Sequence, residues 1–451
     1  MGRSCEASEA AIKPDAVEIL ALSKTPASTS KEQHDVVLSS ATQDGGTRAW
    51  LQVLGSFLVF GNLWGFTFAF GSFQTYYQLS YLSNDSASDI SWIGTIAAFF
   101  LVIGGVVSGP LFDLGYFRAM LLTGSLAATF ALFMLSLCTR YYQILLAQGV
   151  LTGLATGLLY LPGLALVGRS FKKHRSIAMS ITTCGAPVGG VIYTLMFQQL
   201  IGPLGFAWTI RAMAFFMLGS YLMAYPLLLY RAHNIGDLAS GHARKLFDPT
   251  ALKDALFWTY SISNFLVFLG YIVPFVYIAA YDESHLRKSQ ASALNMIIIA
   301  QATSVVGRLL SGYAASRIGV MIPWITCAMC SGILCLAWIG VTGQGGLIAI
   351  SALFGCFSGA LIPLPPSIFP TVCPDPTALG TRLGMAQAIG SFASLISGPI
   401  AGALTGLNAG LDGYDWRNLQ LYTGLVMIGG GCSLIGLWLL LQRKRGTGKL
   451  V

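Results

Sequence analysis

Residues 91–112 read SWIGTIAAFFLVIGGVVSGPLF and contain no formal charge. An α-helix rises 1.5 Å per residue, so a run of this length spans the roughly 30 Å of a bilayer's hydrocarbon. No polar stripe at helical spacing is left for water. Gly104, Gly105 and Gly109 interrupt the run, where a soluble helix would be weakened by about 1 kcal/mol for each. In lipid the same glycines let a neighbouring backbone approach. With no water to serve its amides, the run must satisfy its own backbone hydrogen bonds, which makes it a helix.

Outward from this stretch the pattern repeats. Apolar runs of about twenty or more residues recur at 49–77, 91–112, 119–138, 143–168, 176–200 and 207–230, and again at 255–280, 291–315, 321–341, 346–370, 382–405 and 421–442. The expected fold is an all-α membrane protein with twelve transmembrane helices in two six-helix bundles. Composition agrees: 55% of the 451 residues are hydrophobic and 10% are charged, against roughly 25% charged in a soluble domain. A globule in water could not hide so much apolar surface. Residues 1–45 are polar and read as a disordered tail, without the apolar stretch of a signal peptide. Residues 46–230 form the first bundle, 231–254 a polar linker, 255–442 the second bundle and 443–451 a basic tail.

Lys and Arg set the orientation. With both termini in the cytoplasm, the loops from Arg118 to Arg382 and the C-terminal tail carry fifteen basic residues, and the opposite loops carry five. Cytoplasmic termini are therefore expected, and the plasma membrane is the expected location. Asn84-Asp85-Ser86, a glycosylation sequon, then falls in the first external loop. The net charge of +8 belongs to this topology. It is not the clustered basic face of a nucleic-acid-binding module, and no nucleic-acid partner is expected.

Two sets of six helices invite a search for a repeat. SGPLFDLG (108–115) matches SGYAASRIG (311–319). Gly153 and Gly157 match Gly355 and Gly359, and Arg175 in HRSIAMS matches Arg382 in TRLGMAQ. The offsets are 203, 202 and 207. Matches in the same order at one spacing point to a parallel repeat; the competing reading is that membrane helices all draw on similar small residues.

At these residues the chain resembles the major facilitator superfamily and, within it, the monocarboxylate transporter family, above all its fungal members. Asp44-Gly45-Gly46-Thr47-Arg48-Ala49-Trp50 resembles the family's lead into helix one. Phe171 to Ala178, with Gly185 and Gly189-Gly190, resembles the signature that opens helix five. Gly307-Arg308-Leu309-Leu310-Ser311-Gly312 resembles the helix-eight Arg motif, and Gly380 to Met385 with Gly398 to Gly402 resembles helix eleven. Gly109 to Arg118 resembles a reduced form of the superfamily's gating motif, with Asp113 and Gly115 in place and Leu114 where an Arg is usual. The resemblance implies a carrier whose solute site lies among helices one, four, seven and ten. Two departures weaken proton–lactate chemistry. The helix-one Lys of such members is missing from 69–73, and Ser304 stands where they have an Asp one turn before the helix-eight Arg.

Arg308 is the residue whose placement demands chemistry. An Arg at the bilayer centre costs roughly 2.5–3.5 kcal/mol on insertion scales. Either it faces a wet interior, where a guanidinium binds a carboxylate or enolate through two parallel hydrogen bonds, or it snorkels to the interface. Asn62, Tyr160, Asn264 and Tyr271 join Arg308 as the candidate solute-binding set, each also readable as packing. Trp64, Gln74, Tyr277 and Ser358 are further polar or aromatic candidates, and Pro363-Leu364-Pro365-Pro366 should interrupt its helix. Asp113 with Arg118 reads as a cytoplasmic latch or as an ordinary turn.

No GxxxxGK[ST] loop, HExxH or GxSxG is present, so an ATP-driven pump and the familiar hydrolases find no support. No metal, cofactor or enzymatic activity is expected. The expected function is secondary active or facilitative transport of an organic anion or related metabolite. Its concrete form is efflux of a fungal secondary metabolite. The partners are the lipid bilayer, a small organic solute and, as an open co-substrate, a proton. The runner-up is uptake of a monocarboxylate or vitamin by proton symport. A nutrient sensor comes third, disfavoured by tails of only about 45 and 9 residues.

Overall fold

The computed structural model describes residues 46–83, 85–171, 175–229, 247–373, 378–406 and 416–445. The expected tail at 1–45, the linker segment 230–246, the sequon residue Asn84, the side chain of Asp113 and residues 446–451 lie outside the described residues. Among those described, every regular element is helical.

The chain order is α1 (Ala49–Tyr76), α2 (Ala87–Phe112), α3 (Phe117–Leu135) and α4 (Tyr141–Gly168). Next come α5 (177–204) and α6 (206–229), which run on as one 53-residue helical stretch broken at Gly205, where φ is 71°. That stretch is about twice the length a bilayer needs, so it supplies two crossings. The second half contains α7 (Ala255–Ser284), α8 (Gln290–Ile318), α9 (Met321–Gly340), α10 (Gln344–Val372), α11 (Leu379–Thr405) and α12 (Trp416–Arg443). The eleven long apolar segments thus give twelve crossings. α10 loses regular helix over 360–363, where the run from Pro363 to Pro366 begins.

The exterior is apolar, and polar groups are set within a mainly apolar interior. Leu122, Leu126 and Phe130 follow one another on one face of α3 and are 47%, 53% and 55% exposed. Leu222 and Met223 on α6 are exposed as well. In water such stripes would be docking or aggregation surfaces; hydrocarbon is their matching solvent. Ser56, Asn62, Gln148, Gln301 and Arg308 are fully or almost fully buried.

Helix boundaries follow from local chemistry. Ser86 caps α2 by accepting from the Asp89 amide at 3.1 Å. Ser289 caps α8 through the Ser292 amide at 3.3 Å, and Asp254 caps α7 through the Leu256 amide at 3.0 Å. Such caps contribute about 1 kcal/mol each. The turns after α2 and α8 use Gly115 and Gly319, with φ of 88° and 87°, a conformation strained for any L side chain. These two glycines close the matched stretches 108–115 and 311–319.

The other matched glycines also act alike. A Cβ on Gly157 would lie 2.5 Å from the Phe100 carbonyl oxygen, and one on Gly104 would lie 2.6 Å from Gly157 Cα. Those contacts pack α2 on α4. A Cβ on Gly359 would lie 2.6 Å from the Ser304 carbonyl oxygen, and Gly307 presses on the Cys356 carbonyl, packing α8 on α10. Glycines therefore line the same helix pair in each half, although Gly104 meets Gly157 and Gly307 meets Cys356.

The two halves meet along α2–α11, α5–α8 and α1–α7. Their contacts are tightest at the end opposite Arg118, Arg317 and Arg382. There Ser88 Oγ donates to the Pro399 carbonyl at 3.1 Å, and Gln198 Nε2 donates to the Ala291 carbonyl at 3.2 Å. A Cβ on Gly398 would lie 2.5 Å from Thr95 Cγ2. Toward the basic end α2 and α11 stand further apart, and a Cβ on Gly384 would still be 3.9 Å from Val106 Cα.

Candidate solute site at the seam

On α8, Gln301, Ser304, Arg308 and Ser311 recur three and four residues apart and so share one face. All four are buried, Arg308 completely. Gln301 and Arg308 reach α5, and Ser304 Oγ packs beside Gly359 of α10. Arg308 Nη1 donates to the Thr183 carbonyl oxygen at 2.6 Å. Its Nε reaches Ser304 Oγ only at 3.5 Å, and Nη2 has no partner.

The sequence of α5 explains why that carbonyl is available. In a helix the carbonyl of residue i accepts from the amide of residue i+4. Residue 187 is Pro, inside the helix, and has no N–H. The Thr183 carbonyl therefore lacks its intrahelical donor and takes Arg308 instead.

Aromatic rings enclose the guanidinium. Arg308 Cζ lies 6.0 Å from the centroid of Phe68, which packs on Tyr271 at 6.2 Å and Phe275 at 5.4 Å. The Tyr271 phenol lies within electrostatic reach of the guanidinium, yet its hydroxyl is off hydrogen-bond geometry. Trp64 extends the wall, 5.6 Å from Phe68 and 5.9 Å from Tyr160.

Several polar atoms in this neighbourhood have no protein partner. They are Trp64 Nε1, the Tyr271 hydroxyl and both amide atoms of Gln301. A buried polar group left unmet costs about 1–3 kcal/mol, so the place suits water or a solute that brings its own polar groups. Among the described residues, no carboxylate pairs with Arg308. A fully buried cation without an anion is a candidate site for one.

The residues expected to bind solute fall in three places. Arg308 and Tyr271 come together, with Tyr160 behind Trp64. Asn264 lies on the α11 side of α7, its Nδ2 3.1 Å from where a Cβ on Gly390 would sit. Asn62 is engaged elsewhere: Tyr193 donates to its Oδ1 at 2.7 Å and its Nδ2 donates to Ser220, a brace among α1, α5 and α6. Tyr277 bridges α7 to α11 by donating to the Gly398 carbonyl at 3.1 Å. Gln74 holds the start of α2 through the Ala87 carbonyl at 3.1 Å, and Ser358 bonds within its own helix. Arg118 is exposed in the first turn of α3. Sequence reasoning passed over Thr183, Phe68 and Gln301; the signals were Pro187 four residues after Thr183 and Gln301 two turns before Arg308.

At the basic end, Arg382 at the start of α11 holds the approach to α7. Its Nε meets Asp248 Oδ2 at 2.8 Å, Nη1 meets Asp254 Oδ2 at 3.2 Å, and Nη2 donates to Thr250 Oγ1 at 3.0 Å. Hydrogen bonds from Thr250 and Arg382 pull the Asp248 carboxyl down to about 2. A depressed carboxyl stabilises the fold above its unfolded value of about 3.9 and loses that effect as pH falls toward 2. The brace therefore persists at neutral and mildly acidic pH.

A family model described as the Major Facilitator Superfamily matches residues 52–374. The chain belongs to the major facilitator superfamily. This member is 35% identical over 408 residues to the MFS-type transporter dbaD of Emericella nidulans, with 90% of each chain covered. It is 35% identical to the aspyridones efflux protein apdF of the same fungus, over 90% of this chain and 80% of that one. To the agnestins efflux protein AgnL12 of Paecilomyces divaricatus it is 38% identical, over 90% and 89%. The crystal structure of the nucleoside transporter NupG superposes with a TM-score of 0.61 at 14% identity, covering 87% of this chain and 99% of that one; the likeness is one of fold. This superfamily member is a multi-pass membrane transporter of small molecules.

Proposed function

We propose that the protein exports an organic anion from the cytoplasm across the plasma membrane by alternating access, in the manner of monocarboxylate transporters. Its solute carries a carboxylate or enolate on an aromatic or otherwise apolar frame, as fungal secondary metabolites often do. The observation that carries this reading is Arg308, a fully buried guanidinium with a free Nη2 and no acidic partner, walled by Phe68, Tyr271 and Trp64. The cation suits the anionic end, and the rings suit a body larger than lactate. Relatives named for efflux of aspyridones and agnestins support the outward direction. With the basic end cytoplasmic, the tight end of the seam is external, and the site is placed to load from inside.

The test is reconstitution into liposomes followed by counterflow of 1-naphthoate, an aromatic enol acid, lactate and a neutral nucleoside. The two aromatic anions should exchange and the nucleoside should not. Exchange of the nucleoside alone would overturn the assignment.

One observation favours the second reading, uptake by proton symport. Asp282, at the far end of α7, is fully buried. Its Oδ2 accepts from Ser292 Oγ at 2.7 Å, which in turn accepts from Gln344 Nε2 at 2.8 Å. Oδ1 has no partner, and Glu283 is its neighbour. A carboxyl so placed is a candidate proton carrier. On this reading Asp282→Asn loses pH-gradient-driven accumulation of 1-naphthoate and keeps its exchange. Full accumulation by that variant removes proton symport through α7.

A further inference from the structure

We propose that the Arg308–Thr183 contact is a latch between the two halves, released by the solute, and that Pro187 is the positioning residue that makes the latch possible. The proposal rests on the reading of Arg308 as the anion's partner. It adds a role for the first half of the molecule, whose described residues contribute no charge to the site.

The latch crosses the seam. Thr183 lies on α5 and Arg308 on α8, 125 positions apart, and the next residue repeats the crossing: Cys184 Sγ points at the Val305 carbonyl, 3.8 Å away. Nothing else on α5 is charged at this level, so the free carbonyl is what draws the guanidinium over. That carbonyl is free because residue 187 has no amide hydrogen to offer it.

An anion competes with this arrangement. Nη2 has no partner, so it is the first point of attachment. A bidentate anion then draws on Nη1 as well. Its second oxygen would crowd the Thr183 carbonyl oxygen, acceptor against acceptor. A bond to a charged acceptor is stronger than one to a neutral carbonyl. Binding therefore weakens the bond that ties α5 to α8, and the halves become free to rock when a solute is aboard. In this way a carrier can stay shut when empty without a separate gate residue. It also explains why Arg308 needs no acid to hold it in place: the freed carbonyl does so at a strength an anion can overcome.

The experiment reads the seam through Cys184, with the other cysteines replaced. Cys184 is almost fully buried beside Arg308, so its labelling by N-ethylmaleimide reports opening of α5 from α8. In the reconstituted protein, 1-naphthoate should accelerate labelling several-fold, and lactate should do so less. Pro187→Ala returns an N–H to residue 187, satisfies the Thr183 carbonyl within α5 and frees Arg308. That variant should label rapidly without solute, respond little to solute, and bind 1-naphthoate roughly 3- to 10-fold more tightly, because the competing state is depopulated. A merely structural proline would not tighten binding. Arg308→Gln should abolish the solute response. The latch is overturned if 1-naphthoate binds through Arg308 yet leaves Cys184 labelling unchanged, a result that leaves the transport assignment standing. Should Pro187→Ala fail to fold, the solute response of the unaltered Pro187 protein decides alone. If no anion binds, latch and assignment fall together.

Discussion

Arg308→Ala should abolish carriage of an anionic solute, by about 100-fold or more, while the variant still inserts and purifies as a monodisperse species. Hydrogen bonds to charged groups contribute about 1.5–3 kcal/mol each, and two of them to a carboxylate amount to a tenfold loss for every 1.4 kcal/mol removed. The fold should tolerate the change. The guanidinium is desolvated, has one good bond and leaves Nη2 unmet, so its burial contributes little net stability. Removing it strands the Thr183 carbonyl, at a cost of about 1–3 kcal/mol, and relieves a buried charge. Arg308→Lys should fall between, because an ammonium keeps the charge and loses the planar fork. Counterflow of 1-naphthoate with size-exclusion profiles of each variant makes the measurement. Full transport by Arg308→Ala would return this Arg to a packing role.

How much of this was legible beforehand depends on which group carries the information. The crossings were legible because hydropathy is a property of each residue: run 91–112 became α2 (Ala87–Phe112) with little shift. The break at 200–207 was legible as well, although the helix continues to Gly205 and turns only there. The repeat could be read only as spacing. Its meaning came with the φ of Gly115 and Gly319 and with the paired contacts of Gly157 and Gly359.

Partnerships across the fold were not legible. Asn62 was indistinguishable from a solute ligand because its partners lie 158 and 131 positions away. Gln301 was hidden by apolar neighbours within a run that already read as a span. The Thr183 carbonyl has no side-chain signature of its own, and only the missing N–H of Pro187 betrays it. A charge in an apolar run announces itself, whereas the neutral group that answers it does not.

The second large effect concerns motion. Gly71→Val and Gly402→Val should each insert normally and cut transport about tenfold or more, with the end of the seam opposite Arg118 and Arg382 held apart. A Cβ on Gly71 would overlap the Phe275 carbonyl and come within 2.9 Å of Ile297 Cδ1. One on Gly402 would lie 2.8 Å from both Ser88 Cα and the Tyr277 hydroxyl. These contacts belong to different pairs, α1–α7 and α2–α11, and exist only while that end is closed. Overpacking of this kind costs about 1–3 kcal/mol, which moves a two-state equilibrium about 5- to 150-fold. Because the alternative state separates the same surfaces, the wedge should trap that state and not unfold the chain. The two variants should behave alike despite sharing no contact residue, and each should make a cysteine placed at Ser88 or Thr95 reactive to an impermeant thiol reagent. If both transport at full rate, closure at this end is no step of the cycle. If both lose insertion instead, these glycines serve assembly of the fold and the moving seam must lie elsewhere.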